Sequence, residues 1–131
     1  MIIRKLQETV DTPRHIRSDN WDSARMLLES DGMGFSFHIT TLYAGTENPM
    51  WYKHHLESVY CISGKAELHD LAAGTRHTIE PGTLYALNDN DRHVLKILED
   101  FTCACVFNPA LRGTEVHDAD GAYRLDAAPV S

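Results

Sequence analysis

Apolar and polar positions alternate along much of this chain. From Phe35 to Tyr43, the side chains of Phe35, Phe37 and Ile39 point one way and those of Ser36, His38 and Thr40 the other, the period-two signature of a half-buried strand. Short runs rich in Thr, Val, Ile, Tyr and Phe follow at intervals of about ten residues, the spacing of an all-β sandwich or barrel. They predict strands over Glu57–Ser63, Lys65–Leu71, Arg76–Ile79, Thr83–Leu87, Val94–Leu98 and Phe101–Phe107. The last is apolar on both faces, as a central strand would be. Turn residues punctuate the runs at Gly45, Gly64, Ala73-Gly74, Pro81-Gly82, Asn88-Asp89-Asn90-Asp91 and Asn108-Pro109. Asp31-Gly32 predicts a hairpin between Met26–Leu28 and Phe35–Tyr43. Trp21–Leu28 fits helix and strand equally, because both put Trp21 and Arg25 on one face. The pattern therefore predicts one all-β domain over 1–131 with short helical elements at most, and a weakly anchored tail over 118–131.

Composition narrows the function classes. The chain has 131 residues, and 12 Lys and Arg against 19 Asp and Glu give a net charge of −7. That balance argues against nucleic acid and anionic membranes as partners, because both need a positive face. No apolar run approaches the roughly 20 residues of a membrane span, and Met1-Ile2-Ile3-Arg4-Lys5 turns polar at once, unlike a signal peptide. Three cysteines, Cys61, Cys103 and Cys105, are too few and odd in number for a disulfide framework. A soluble, reduced, cytoplasmic protein is expected. Eight histidines in so short a chain direct attention to the site.

Polar residues with chemical potential cluster in three places: Tyr52-Lys53-His54-His55-Leu56-Glu57; Tyr85 followed by His93; and Cys105-Val106-Phe107 with Glu115 and His117. In a small barrel, alternate positions of separate strands converge on one cavity, so closure would bring Glu57, Tyr85 and His93 together. Carboxylate and imidazole suit a divalent first-row metal such as iron, zinc or manganese, and a metal favours deprotonation of a phenol beside it. Each residue also has a plain reading: a hydrogen-bonded buried Glu, an amphipathic core Tyr, a solvated loop His. Only one of His54 and His55 can face the cavity, since strand neighbours face opposite sides. His15, His69 and His77 are expected at the surface. Cys103 and Cys105 share a face and read as core filler, and nothing near Cys105 suggests an activated thiol. Ser36, His38 and Thr40 form either a solvent face or the wall of a lumen.

Two motifs make the pattern specific. Glu57 followed six residues on by Gly64 matches the latter half of the first cupin motif, and Pro81-Gly82-Thr83-Leu84-Tyr85 matches the second, with Tyr85 where cupins usually have histidine. Asn20-Trp21-Asp22-Ser23, Gly34-Phe35-Ser36-Phe37, Ile39-Thr40, Tyr52-Lys53-His54-His55, Glu57, Val59-Tyr60-Cys61, Cys105-Val106-Phe107-Asn108-Pro109 and Gly113-Thr114-Glu115-Val116-His117-Asp118 extend the match over nearly the whole chain. In these the chain resembles the ectoine synthases. The resemblance implies a small, jelly-roll-like cupin barrel, generally a homodimer. It implies a carbon–oxygen lyase closing N-γ-acetyl-L-2,4-diaminobutyrate to the compatible solute ectoine with loss of water. It implies a metal, iron(II) with zinc or manganese as alternatives, on Glu57, Tyr85 and His93. Substrate contacts are implied at Trp21, Arg25, Thr40, Cys105, Phe107, Glu115 and His117, and catalytic or supporting roles at Tyr52 and His55; His38, where family members usually have Asn, departs from the pattern and is expected as a further substrate contact in the cavity. Arg25 suits a substrate carboxylate through paired hydrogen bonds, and Tyr52 backed by His55 is the first candidate for proton transfer, with Glu115 and His117 as the others. His38 in the cavity and Trp51 at its entrance leave open a related enzyme of a neighbouring N-acyl diamino acid, and a non-catalytic small-ligand binder stands as the third reading.

Overall fold

Two long bent strands carry the architecture of the computed structural model, which describes residues 1–130. In chain order the elements are α1 (Leu6–Thr9), β1 (His15–Arg17), β2 (Trp21–Leu27), a 3-10 turn (Glu29–Asp31), β3 (Ser36–Leu42), β4 (Glu47–Met50), β5 (Leu56–Asp70), β6 (Thr75–Ile79), β7 (Leu84–Leu87) and β8 (His93–Asn108). All pairings are antiparallel, in the order β1-β2-β3-β8-β5-β6, with β4 on β8 and β7 on β5. The C-terminal half of β8 lies between β3 and β5, and its N-terminal half between β4 and β5. The same two strands thus serve both ends of one barrel, as expected for a cupin-type fold.

The sequence pattern split each long strand in two. Glu57–Ser63 and Lys65–Leu71 are one strand, β5, and Val94–Leu98 and Phe101–Phe107 are one strand, β8. Both join at the same bend, where the β5–β8 register shifts between Cys61 and Ala66. Gly64 sits there at φ +87°, and a Cβ on it would lie 2.0 Å from the Asp100 carbonyl oxygen. A turn-like glycine therefore marks a place where two backbones touch. Trp21–Leu27 is a strand, paired with β3 from Trp21↔Leu42 to Leu27↔Phe37, so the hairpin through Asp31-Gly32 forms with a longer loop than a two-residue turn.

Inward positions of both halves make one core, including Leu28, Val59, Cys61, Leu95, Ile97, Phe101 and Cys103. The loop before β3 is pinned by Asp31, whose carboxylate accepts the Leu28 N–H at 2.9 Å and meets Arg4 at 3.2 Å and Arg14 at 3.0 Å. Burial alone would raise this carboxyl, but the Leu28 N–H and the two guanidinium groups outweigh it and hold it below the ordinary range. A depressed folded-state value stabilises above the ordinary carboxylate range, and that stability is lost as pH falls through the lowered value. Asp31→Asn is therefore expected to cost about 1–2 kcal/mol at pH 7 and to flatten the loss of stability toward pH 3, read as urea midpoints across that range.

The segment expected to be a loose tail is packed. Ala122 and Tyr123 are buried, the Val130 N–H donates to the Arg112 carbonyl at 2.8 Å, and Gly113 bridges to Pro129. Its polar composition conceals one large apolar anchor, Tyr123. His15, expected at the surface, is also tucked in: its side chain is 4% exposed and its Nε2 lies 2.8 Å from Asp22 Oδ1. His69 is half-buried against Glu67, and His77 is exposed as expected.

Candidate active site

The inward faces of β2, β3, β5, β7 and β8 meet around one cavity. Its walls include Trp21, His38, Thr40, Tyr52, Glu57, Tyr85, Cys105, Phe107, His117 and Tyr123. Strand alternation explains the choice. Glu57 and Val59 face inward on β5, and Tyr85, the cross-strand partner of Val59, lies diagonal to Glu57 on β7. On β8, Cys103, Cys105 and Phe107 share that face, with Cys103 and Cys105 Sγ atoms 3.5 Å apart. His38 and Thr40 thus line a lumen rather than solvent, and Ser36 on the same face is fully buried. Thr40 donates to Ser23 Oγ at 2.9 Å. His38 Nε2 lies 2.8 Å from Ser36 Oγ, which also accepts the Leu111 N–H. Burial first, then Arg25 and His55, lower the His38 pKa well below the ordinary value, so its ring is neutral.

Tyr52 and His117 form the hydrogen-bonded pair of the site, with the hydroxyl 2.8 Å from Nε2. Burial raises Tyr52 well above the ordinary phenol value and lowers His117 to about 4, helped there by Arg25. At neutral pH Tyr52 therefore holds its proton and His117 is an uncharged base. Trp21 meets His117 edge-on, ring centroids 5.4 Å apart, and Phe107 packs edge-on against Tyr52 and His38.

The three expected metal-binding residues approach from separate strands. Glu57 and Tyr85 share the inner cavity, while Tyr85 and His93 share the groove beyond it. His93 starts β8, is fully buried, and its Nδ1 lies 2.9 Å from the Asp91 carbonyl. A donated bond there leaves Nε2 as the acceptor nitrogen, and that atom has no hydrogen-bond partner. Burial raises Glu57 and Tyr85 well above their ordinary values, with Cys105 adding to the first and Glu57 to the second. An orphaned imidazole nitrogen and two buried acids, with Tyr85 lining a space shared with each of the other two, are donors of a kind that suits a cation. Among the described residues no group of three or more His, Cys, Asp or Glu is placed to hold a metal ion.

Four expected residues take other places. Arg25 is buried behind the cavity wall, where it donates to the Gly113 carbonyl at 3.0 Å and the Glu115 carbonyl at 2.6 Å. The Glu115 carboxylate accepts the N–H groups of Arg112 and Gly113 at 2.6 and 2.7 Å and lies 3.5 Å from Arg25. These two residues fasten the segment after β8 instead of facing the cavity. His55 is the inward member of its pair, with His54 exposed. It packs edge-on behind Phe107, and its Nδ1 has no hydrogen-bond partner. Trp51 lies outside the entrance between Lys53 and Arg92, 5.0 and 5.2 Å from its ring.

Tyr123 was not foreseen as part of the wall; the Asp-Gly turn before it is the signal that could have marked it. The Ectoine synthase family model matches residues 1–127. The chain belongs to the ectoine synthase family. It is accordingly an enzyme, a lyase of the ectoine synthase type. It is 53% identical over 130 residues to the L-ectoine synthase of Hahella chejuensis, covering 99% of this chain and 98% of that one. It is 56% identical over 129 residues to that of Teredinibacter turnerae, covering 97% and 98%. The crystal structure of ectoine synthase from P. lautus superposes with a TM-score of 0.87 at 45% identity, covering 100% of this chain and 94% of that one. A Cupin_2 domain from Enterobacter cloacae, 14% identical with a TM-score of 0.58 over 69% of this chain and 97% of that one, shows the shared cupin fold alone. No helix is long and apolar enough to cross a membrane among the described residues.

Proposed function

We propose that this enzyme closes N-γ-acetyl-L-2,4-diaminobutyrate to ectoine with a divalent metal, iron(II) first and zinc or manganese as alternatives, in the cytoplasm of a cell under osmotic stress. The observation that carries the reading is a buried cavity with an acid cluster on one side and a neutral Tyr52–His117 pair on the other. In the reaction the α-nitrogen bonds to the acetamide carbon, that carbon loses its oxygen, and the oxygen leaves as water. Glu57, Tyr85 and His93 would hold the ion, which supplies Lewis acidity toward the amide oxygen. The remaining work falls to the chain's own groups. The His117 imidazole, uncharged at neutral pH, takes a proton from the attacking amine, and the Tyr52 hydroxyl, still protonated, gives one to the carbonyl oxygen. Their mutual hydrogen bond returns that proton to Tyr52, and a second passage carries the other proton that nitrogen loses, so that the oxygen leaves as water. Thr40 and the neutral His38 ring would supply polar contacts to the substrate, and Cys105 lines the same cavity. Trp21 and Phe107 exclude water and hold the substrate bent so that its two ends meet.

The decisive experiment is mass spectrometry of products from iron-reconstituted protein supplied with N-γ-acetyl-diaminobutyrate. Ectoine should form, and a chelator should stop it. Turnover of a different N-acyl diamino acid, or binding without turnover under every metal, would replace this reading. A homodimer belongs to the same proposal: Tyr60 and Leu84 are exposed cross-strand partners, flanked by exposed Leu56 and Ile62, an apolar strip suited to a second copy. Sedimentation at the mass of a single chain would refute it.

A further inference from the structure

We infer that Tyr123 is a positioning residue whose ring holds the Tyr52 hydroxyl and the His117 imidazole in register for proton exchange. This rests on the proposed role of that pair. Tyr52 and His117 lie 65 residues apart in sequence, and His117 belongs to no strand. Its place is therefore set by what its ring touches. Tyr123 stacks on it at 4.6 Å and 20°, and on Tyr52 at 5.1 Å and 27°. One flat ring thus spans both members of the pair. Tyr123 itself is gripped from the side by Phe107 at 5.4 Å and 71°, and the Arg25 guanidinium lies 5.7 Å from its centroid.

The backbone before Tyr123 fixes where it arrives. The Asp118 carboxylate accepts the N–H groups of Asp120 and Ala122 at 2.9 and 3.1 Å, and the Asp118 N–H donates to the Ala122 carbonyl at 2.9 Å, closing a turn. That turn docks on the end of β4, where the Trp51 N–H donates to the Gly121 carbonyl at 3.0 Å. Gly121, at φ +74°, lets the backbones approach so closely that a Cβ would lie 2.5 Å from the Pro49 carbonyl oxygen. The chain leaving β4 at this dock reaches Tyr52 directly. One contact between two loops therefore locates the Tyr52 ring and the ring stacked on it.

Steady-state kinetics of the full-length, metal-loaded enzyme test this, with Tyr123→Leu, which keeps apolar bulk without a flat ring, and Tyr123→Phe, which keeps the ring. Misplacement by about 1 Å can cost about 100-fold in rate. Tyr123→Leu is expected to lower kcat by about 10- to 100-fold with KM changed less than about threefold, and Tyr123→Phe to restore most of that loss. Assays run well below each variant's melting temperature keep unfolding out of the comparison. A Leu variant with kcat within about threefold of wild type, a loss confined to KM, or a Phe variant as damaged as Leu would overturn the inference. NMR of the His117 imidazole in zinc-loaded protein, which is diamagnetic, gives a readout free of turnover: its resonances should be sharp in wild type and Tyr123→Phe and broadened in Tyr123→Leu, and an unchanged Leu spectrum counts against it. Wild-type enzyme that makes no ectoine would refute the reaction assignment instead, while leaving the spectral comparison standing.

Discussion

Glu57→Ala is expected to leave the protein folded, free of metal and nearly inactive. Lewis-acid polarisation contributes several kcal/mol to the transition state, so its loss should lower turnover by about three orders of magnitude. Stability should show two contributions. A bound ion stabilises the folded state, so the variant should melt below metal-loaded wild type. The Glu57 carboxyl is buried and held above its ordinary pKa by that burial, so against metal-stripped wild type its removal should leave the melting temperature unchanged or higher. Elemental analysis, product assay and thermal denaturation on one preparation check this. A Glu57→Ala enzyme that keeps both its metal and its rate would remove this residue from the metal set.

Gly64→Ala is expected to do the reverse, damaging the fold throughout. A methyl group there would lie 2.0 Å from the Asp100 carbonyl oxygen and 2.8 Å from the Phe101 Cα, both backbone atoms of β8. Neither can yield without opening the β5–β8 ladder, and the positive φ adds strain of its own. A cost of about 3–4 kcal/mol follows, or about 10 °C in melting temperature for a chain of this size. Because β5 and β8 also carry Glu57, Cys105 and Phe107, what activity remains should fall more steeply with temperature. Calorimetry of both forms checks the shift, and a change below about 1 kcal/mol would show that the bend is slack.

The alternation of apolar positions was enough to locate most strands, because packing there follows the pleat. It failed at Ser63-Gly64-Lys65 and at Glu99-Asp100, where polar and glycine residues usually signal a turn and here accompany a bend inside continuous strands. It missed β4 because Pro49 argues against a strand; Pro49 is tolerated where this short strand pairs with β8 alone. The cavity wall was largely legible, since Trp21, His38, Thr40, Tyr52, Glu57, Tyr85, Cys105, Phe107 and His117 all reach it. Arg25 and Glu115 were misread for a physical reason. A sequence shows that two charges exist, but not that the fold brings positions 90 apart in sequence together in the interior. Facing each other and the Gly113 backbone, they act as a fastening. Tyr123 was hidden by its polar neighbours, which make the turn that delivers it.

That turn has a consequence for how the protein comes into being. Trp21 is synthesised well before His117 and Tyr123. A nascent polypeptide whose residues after β8 are still inside the ribosome can form most of the barrel but has an open wall and no His117 to pair with Tyr52. Competence for the reaction therefore arrives only once Tyr123 has emerged and docked.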